Sequence, residues 1–321
     1  MKQVGIICGG YSSEFEISVK SAKTIFDNFP EGYVPRMIYL RKSGWTVQLK
    51  DSEVTLDSTN FTYSIDGKSQ KIDLAIIYIH GDPGENGKIQ AYLEMIDIPY
   101  VNSGPLASQL SFDKWYCNQF LKGFGIKVAD SIYLTKPSEM PAAEKAVNDL
   151  GLPIFVKPCD SGSSYGIARV DDVSDLQSAL DNAFAEGETV VLEAFLDGTE
   201  VTCAVYRSPE GLKALPMTEI VSENSFFDYE AKYLGQSQEI TPARISDEIR
   251  DRCQELSKKI YQLLNLRSVA RVDFMLVNDE PYVIEVNTIP GFSPESLVPQ
   301  MIECKGQSVS DFWKEILEAE L

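Results

Sequence analysis

Arg271-Val272-Asp273-Phe274-Met275, followed by Val283-Ile284-Glu285-Val286-Asn287-Thr288-Ile289-Pro290-Gly291, is the most informative part of this 321-residue sequence. Both stretches read as strands, rich in β-branched and large apolar residues. Alternation along a strand then turns Arg271, Asp273 and Met275 to one face, and Glu285 and Asn287 to one face of the neighbour. Two carboxylates and an amide converge, with an arginine interleaved. So few hard oxygen ligands suit Mg²⁺ when nucleotide phosphates complete its coordination. Taken singly, either stretch is equally a strand with ordinary solvent-facing acids; the two together favour a metal site.

Upstream, Lys157-Pro158-Cys159-Asp160-Ser161-Gly162-Ser163-Ser164-Tyr165-Gly166 runs from a strand end into a loop of small residues. Backbone N–H groups in such a loop can close on phosphate oxygens, with Lys157 adding a point charge. A plain flexible loop is the alternative, and GxxxxGK[ST] is absent. Near the N-terminus, Gly9-Gly10 turns the chain from a buried strand (Val4 to Cys8) into a helix, the usual mouth of an α/β site. Ser13 and Glu16 have the spacing of a capping box. An acid in the first helical turn complements the helix dipole with no further role, which is the simpler reading of Glu16; Glu14 can equally hold a substrate ammonium. The sole histidine, His80, ends a buried strand (Leu74 to Ile79) before Gly81-Asp82-Pro83-Gly84-Glu85-Asn86-Gly87, a place open to a catalytic or a structural histidine. Residues 222–240, with Phe227-Asp228-Tyr229-Glu230-Ala231-Lys232-Tyr233-Leu234, lack periodicity and read as a lid or a surface Ω-loop.

The bulk numbers bound the function class. A formal charge of −19, with no offsetting block of Lys or Arg, argues against nucleic acid and anionic membranes as partners. The six cysteines stand singly, without the close spacing of a zinc or redox pair, and read as small buried hydrophobes in a reducing compartment. With no signal-peptide pattern and no apolar run of about 18 residues, a soluble cytoplasmic protein is expected.

Strands alternating with amphipathic segments in the first third imply a parallel sheet with crossover helices. The fold class is therefore α/β, turning α+β in the central and C-terminal parts. Boundaries fall at 1–112, 113–197 and 198–321. A helix is expected over Phe112 to Phe124, and others near 138–150, 174–186, 246–264, 295–304 and 308–319. Strands are expected at Val34–Leu40, Ile132–Leu134, Ile154–Lys157, Ile167–Val170, Val190–Glu193, Glu200–Tyr206, Ser268–Val277 and Tyr282–Val286.

In order along the chain, GGYSSEFEIS, the HG…GENG loop, the SFDK run ending at Lys114, KPCDSGSSYG, FFDYEAKYL, ARVDFML and EVNTIPGFSPESLVP resemble the motifs of the D-alanine–D-alanine ligases of the ATP-grasp superfamily. The likeness covers nearly the whole chain. It implies an ATP-grasp fold with an N-terminal Rossmann-like domain. It also implies ATP- and Mg²⁺-dependent ligation of two D-alanine molecules through an acyl phosphate, for peptidoglycan precursors.

Residue by residue, the resemblance implies that Lys114 and Lys157 touch the ATP phosphates and that the 161–166 loop, with Gly162 and Ser164, folds over them; Lys232 joins the ATP-binding set. Glu193, Phe195 and Leu196 would hold the adenine edge, Glu200 the ribose, and Met275 would pack on the base. Asp273, Glu285 and Asn287 look like ligands of two Mg²⁺ ions, with Mn²⁺ an alternative. Glu14 would anchor the first ammonium in a set with Ser163 and Tyr233, with His80 nearby. Arg271 and the Gly291 N–H would form the oxyanion pocket, and Ser296 and Leu297 would lie by the second carboxylate. Relatives commonly form dimers, so a homodimer is implied. Ala194 departs from a common lysine, Ile289 from a common serine, and Asp82-Pro83 alters the loop after His80. The competing readings are an ATP-grasp ligase for other amino or hydroxy acids, a non-catalytic nucleotide-binding module, and a nicotinamide oxidoreductase, the last without GxGxxG.

Overall fold

Val4, Ile6, Ile7 and Cys8 are all fully buried, as a strand covered on both faces of a sheet must be. The computed structural model describes residues 1–135, 140–162, 165–222 and 237–321. Its N-terminal part runs β1 (Lys2–Gly9), α1 (Phe15–Asp27), β2 (Tyr33–Arg41), β3 (Gly44–Gln48), β4 (Glu53–Thr55), β5 (Thr62–Ile65), β6 (Lys68–Lys71), β7 (Leu74–Ile77), α2 (Lys88–Met95) and α3 (Pro105–Phe112). The sheet order is β4-β3-β2-β1-β7, with β1 parallel to β2 and β7 and the β3–β4 end antiparallel.

The central part has α4 (Lys114–Gly123), β8 (Ser131–Leu134), α5 (Met140–Leu150), β9 (Ile154–Pro158), β10 (Ala168–Val170), α6 (Leu176–Glu186) and β11 (Val190–Ala194). Its antiparallel sheet runs β10-β9-β11-β8 and shares a core with α5 and α6 through Val147, Val156, Leu180 and Val190. The rest comprises β12 (Thr199–Ser208), β13 (Gly211–Ala214), β14 (Thr218–Ser222), β15 (Ser237–Ile240), α7 (Asp247–Leu263), β16 (Val269–Val277), β17 (Glu280–Asn287), α8 (Leu297–Cys304) and α9 (Val309–Glu320). Its sheet order is β15-β14-β12-β16-β17, with β13 on β12.

Strand alternation divides the work of this last sheet. On β12, Val201, Cys203 and Val205 enter a core with Ile260 and Tyr261 of α7, which also takes Cys117 and Leu121 of α4. The alternate residues Ala204 and Tyr206 belong instead to the N-terminal core, which Met301, Phe312, Trp313 and Ile316 of α8 and α9 complete. The C-terminal helices thus clamp the first sheet to the last.

Several local expectations change. The Ser13/Glu16 capping box does not form: α1 has Glu14 at its N-cap and no side-chain cap. The Ser12 hydroxyl takes the turn instead, accepting from the Glu14 N–H at 3.3 Å and donating to the His80 carbonyl at 2.8 Å. The helix expected over Phe112 to Phe124 starts two residues later, because Phe112 closes α3 and Asp113 breaks the run and caps α4, accepting from the Tyr116 N–H at 2.9 Å. The β7 ladder ends at Ile77, three residues before His80. Of the cysteines, Cys304 is exposed and the other five are buried. Residues 223–236 of the expected lid lie outside the described residues. No helix among the described residues is long and apolar enough to cross a membrane.

Candidate active site

Register across β12, β16 and β17 builds the centre of the site. Thr202 pairs with Asp273, Asp273 with Glu285, and Arg271 with Asn287. Residues directly opposite on neighbouring strands share a face. A bulge between Asp273 and Phe274 shifts the pairing to Val283, so both Ile284 and Glu285 reach the cleft. Bulges re-aim side chains in this way beside functional sites. Val272, Phe274 and Leu276 point the opposite way into the core.

Asp273 is buried and fully engaged. Arg271 grips it through Nε and Nη2, each at 2.8 Å. Thr202 Oγ1 donates to it at 2.5 Å and Asn287 Nδ2 at 3.1 Å. Asp273, Glu285 and Asn287 are therefore neighbours, as expected. Among the described residues no group of three or more Asp, Glu, His or Cys gathers as a metal cluster, so the set is two carboxylates and an amide. That set fits Mg²⁺ if phosphate oxygens supply the rest of the shell. Asn287 meets Asp273 with its nitrogen, so presenting Oδ1 to a cation requires its amide to turn.

On one side lies a cleft half of about 980 Å³, counted to its open mouth, lined by Lys114, Lys157, Glu193, Leu196, Glu200 and Met275. Here Lys157 Nζ and Glu193 Oε2 form an ion pair of 2.6 Å with both side chains largely enclosed, and Asn118 Nδ2 donates to Glu193 Oε1 at 3.2 Å. Lys114 ties the loop after β9 to α4, donating to the Ser161 carbonyl at 2.7 Å. Phe195 does not line this half. Its ring packs 6.0 Å from that of Phe155, under the Arg169 guanidinium at 4.6 Å.

The other half, about 1640 Å³, is lined by Glu14, His80, Arg271, Gly291, Ser296 and Leu297. Lys114, Ile167, Arg271, Glu285 and Leu297 border both halves. Glu14 abuts the loop end: a Cβ at Gly162 would come within 2.9 Å of its Oε2, so a larger residue there would push the Glu14 carboxylate aside. His80 is buried with Nε2 3.2 Å from Ser21 Oγ, which accepts from the Phe292 N–H at 3.1 Å. Burial lowers the His80 pKa, against the opposing charge of Glu14, so the ring is neutral at neutral pH. Gly291 and Ser296 are close-packed; a Cβ on Gly291 would meet Ser296 Oγ at 2.9 Å. Ser163, Ser164, Lys232 and Tyr233 lie outside the described residues.

Three residues of this cleft were not singled out from sequence. Glu85 is buried, accepts from the Gly81 N–H at 2.8 Å, and burial together with the charge of Glu14 pushes its carboxyl up to about 8. Its position in the Gly84-Glu85-Asn86 loop was the only available signal. Thr202 and Glu239 reach the cleft through strand pairings that no local pattern announces.

Residues 3–103 match the family model described as D-ala D-ala ligase N-terminus, and residues 120–318 match D-ala D-ala ligase C-terminus. The chain belongs to the D-alanine–D-alanine ligase family. Family members named D-alanine–D-alanine ligase include one from Parabacteroides distasonis, 43% identical over 100% of this chain and 98% of its own length. Another, from Azobacteroides pseudotrichonymphae, is 41% identical over 99% and 100%. Among solved structures, D-alanyl-alanine synthetase A from Vibrio cholerae superposes with TM-score 0.88 at 30% identity, covering 99% of this chain and 98% of that one. VanG D-Ala:D-Ser ligase from Enterococcus faecalis gives 0.88 at 29%, covering 100% and 99%. A D-alanine–D-alanine ligase from Bacillus anthracis complexed with ATP gives 0.79 at 29%, covering 100% and 97%. The ligase fold is thus α/β of the ATP-grasp type, with the parallel strands of the N-terminal sheet as its Rossmann-like element.

Proposed function

We propose that this cleft joins two molecules of D-alanine into D-alanyl-D-alanine, converting ATP to ADP and phosphate, as a step in building peptidoglycan precursors. Family membership supports the reaction. The observation that carries it at the site is Arg271 beside Asp273 and opposite Asn287, on the wall between the two cleft halves.

A carboxylate is a poor electrophile, so it is first phosphorylated; the amine of the second amino acid then displaces phosphate. In this reading Lys114 and Lys157 hold the phosphates, the 161–166 loop with Gly162 and Ser164 folds over them, and Lys232 belongs to the ATP-binding set. Glu193, Leu196, Glu200 and Met275 receive the nucleoside, while Phe195 contributes through its backbone. Mg²⁺, two ions held by Asp273, Glu285 and Asn287, supplies charge neutralisation at the phosphates when bound. Glu14, Ser163 and Tyr233 hold the first ammonium beside neutral His80. Arg271 and the Gly291 N–H stabilise the tetrahedral oxyanion, and Ser296 and Leu297 at the start of α8 receive the second carboxylate. Lys157 must leave Glu193 in part to reach a phosphate, so nucleotide binding rearranges that pair.

The same reading divides the chain at 1–112, 113–197 and 198–321 and places it in the cytoplasm as a homodimer. The VanG neighbour favours testing a second acceptor, since D-serine on the same fold is named for that protein. Phosphate release with D-alanine alone, and with D-serine or D-lactate added, separates these readings. The expected result is D-alanine-dependent release unaccompanied by mixed products; a mixed product made in preference to D-alanyl-D-alanine refutes the acceptor assignment.

A further inference from the structure

Two zwitterions meet in this cleft, and the roles set out above leave one charged group without a partner: the ammonium of the second amino acid. Five carboxylates line the substrate half, namely Glu14, Glu85, Glu239, Glu285 and Glu295. Glu14 and Glu285 have assigned roles. Glu85 is buried against the Gly81 N–H, and Glu295 is exposed to solvent. Glu239 remains.

Its position is set by the sheet. Glu239 pairs with Ile220, Ile220 with Glu200, and Glu200 with Met275. This row crosses four strands, and all four residues line the cleft. Gln300 of α8, one turn beyond Ser296 and Leu297, donates through Nε2 to Glu239 Oε2 at 2.7 Å and to the Glu295 carbonyl at 2.9 Å. That clamp fixes one carboxylate oxygen and leaves Oε1 without a hydrogen-bond partner among the described residues, where Glu239 forms no ion pair either. Arg271, whose charge reaches Glu239 from β16, is committed to Asp273.

We propose that Glu239 receives the second amino acid as its ammonium on binding, before that group loses a proton to water and attacks as the free amine, with Gln300 as the positioning residue that orients Glu239. The inference rests on the ligation reading. It places the second substrate between Glu239, which holds its ammonium, and the start of α8, which holds its carboxylate.

The test is initial-rate kinetics over a D-alanine range wide enough to resolve the two sites, in the wild type, Glu239→Gln and Gln300→Leu. Losing a charge-assisted contact at the edge of solvent should raise the second-site KM about tenfold in Glu239→Gln, with the first-site and ATP KM values unmoved. Gln300→Leu, which keeps the carboxylate and frees it to turn, should raise the same constant by a smaller factor. A second-site KM within about twofold of wild type in Glu239→Gln, or all three constants rising together, overturns the proposal. If Glu239→Gln does not fold, Gln300→Leu decides, and an unchanged second-site KM there overturns it. A wild type that makes no dipeptide instead refutes the ligation reading, and this assignment with it.

Discussion

Asp273 shows how much one carboxylate can be asked to do. Buried, it is held by Arg271, Thr202 and Asn287 at once, so the arginine proposed to stabilise the oxyanion is oriented by the carboxylate proposed to hold a metal ion. Arg271→Ala should cut turnover by about 10²–10³-fold; circular dichroism should show the fold intact, and near-normal kcat would refute the role. Glu85 makes a different prediction. Its carboxyl, pushed to about 8 by burial and the charge of Glu14, is raised above the ordinary value of 4.5. The folded state therefore keeps a proton that the unfolded chain releases. This contribution to stability is full below pH 4.5, falls as pH rises, by up to about 1.4 kcal/mol per pH unit, and is gone above about pH 8. Glu85→Gln should flatten the pH dependence of urea stability between pH 5 and 8; an unchanged slope contradicts a protonated Glu85.

At the scale of elements, α4 joins the loop at Ser161 to the core. Asp113 caps it, and the next residue, Lys114, holds the Ser161 carbonyl. Asp113→Ala should cost about 0.5–2 kcal/mol in urea unfolding and raise the KM for ATP through a displaced Lys114. If stability falls while that KM stays put, the cap is structural only. The strands carrying Asp273 and Glu285 were legible because alternation there is strict on β16 and close to strict on β17, and their chemistry faces one way. The Asp113 break was also legible in principle, since an Asp just ahead of an apolar-periodic run is an N-cap signal. It was hidden by Phe112, which fits the period on either side. Phe195 lies between Glu193 and Leu196, which line the cleft, while its own ring is drawn under Arg169. Glu239, Thr202 and the bulge at Asp273 depend on which strand lies beside which, and no local period encodes that.

Across the whole molecule, the N-terminal sheet and the C-terminal helices form one core, a union the strand-and-helix rhythm did not announce. Trp313 of α9 sits fully buried at its centre, with its ring 6.0 Å from Tyr78 and 5.6 Å from Phe292. Tyr78 in turn donates to the Pro290 carbonyl at 3.0 Å, beside the proposed oxyanion pocket. Trp313→Ala should cost about 3–5 kcal/mol. Trp313→Phe should cost clearly less, because the indole N–H it removes has no hydrogen-bond partner among the described residues. Equal losses in the two variants, read from urea midpoints, would show that the N–H is bonded after all. The charge of −19 surrounds a cleft proposed to take anionic phosphates; on that reading local cations, not net charge, decide what enters. The most direct test of the central claim is to incubate the purified protein with ATP, Mg²⁺ and D-alanine and to measure products by mass. One D-alanyl-D-alanine per ADP is the predicted result; ADP without dipeptide, or ADP formation indifferent to D-alanine, would contradict it.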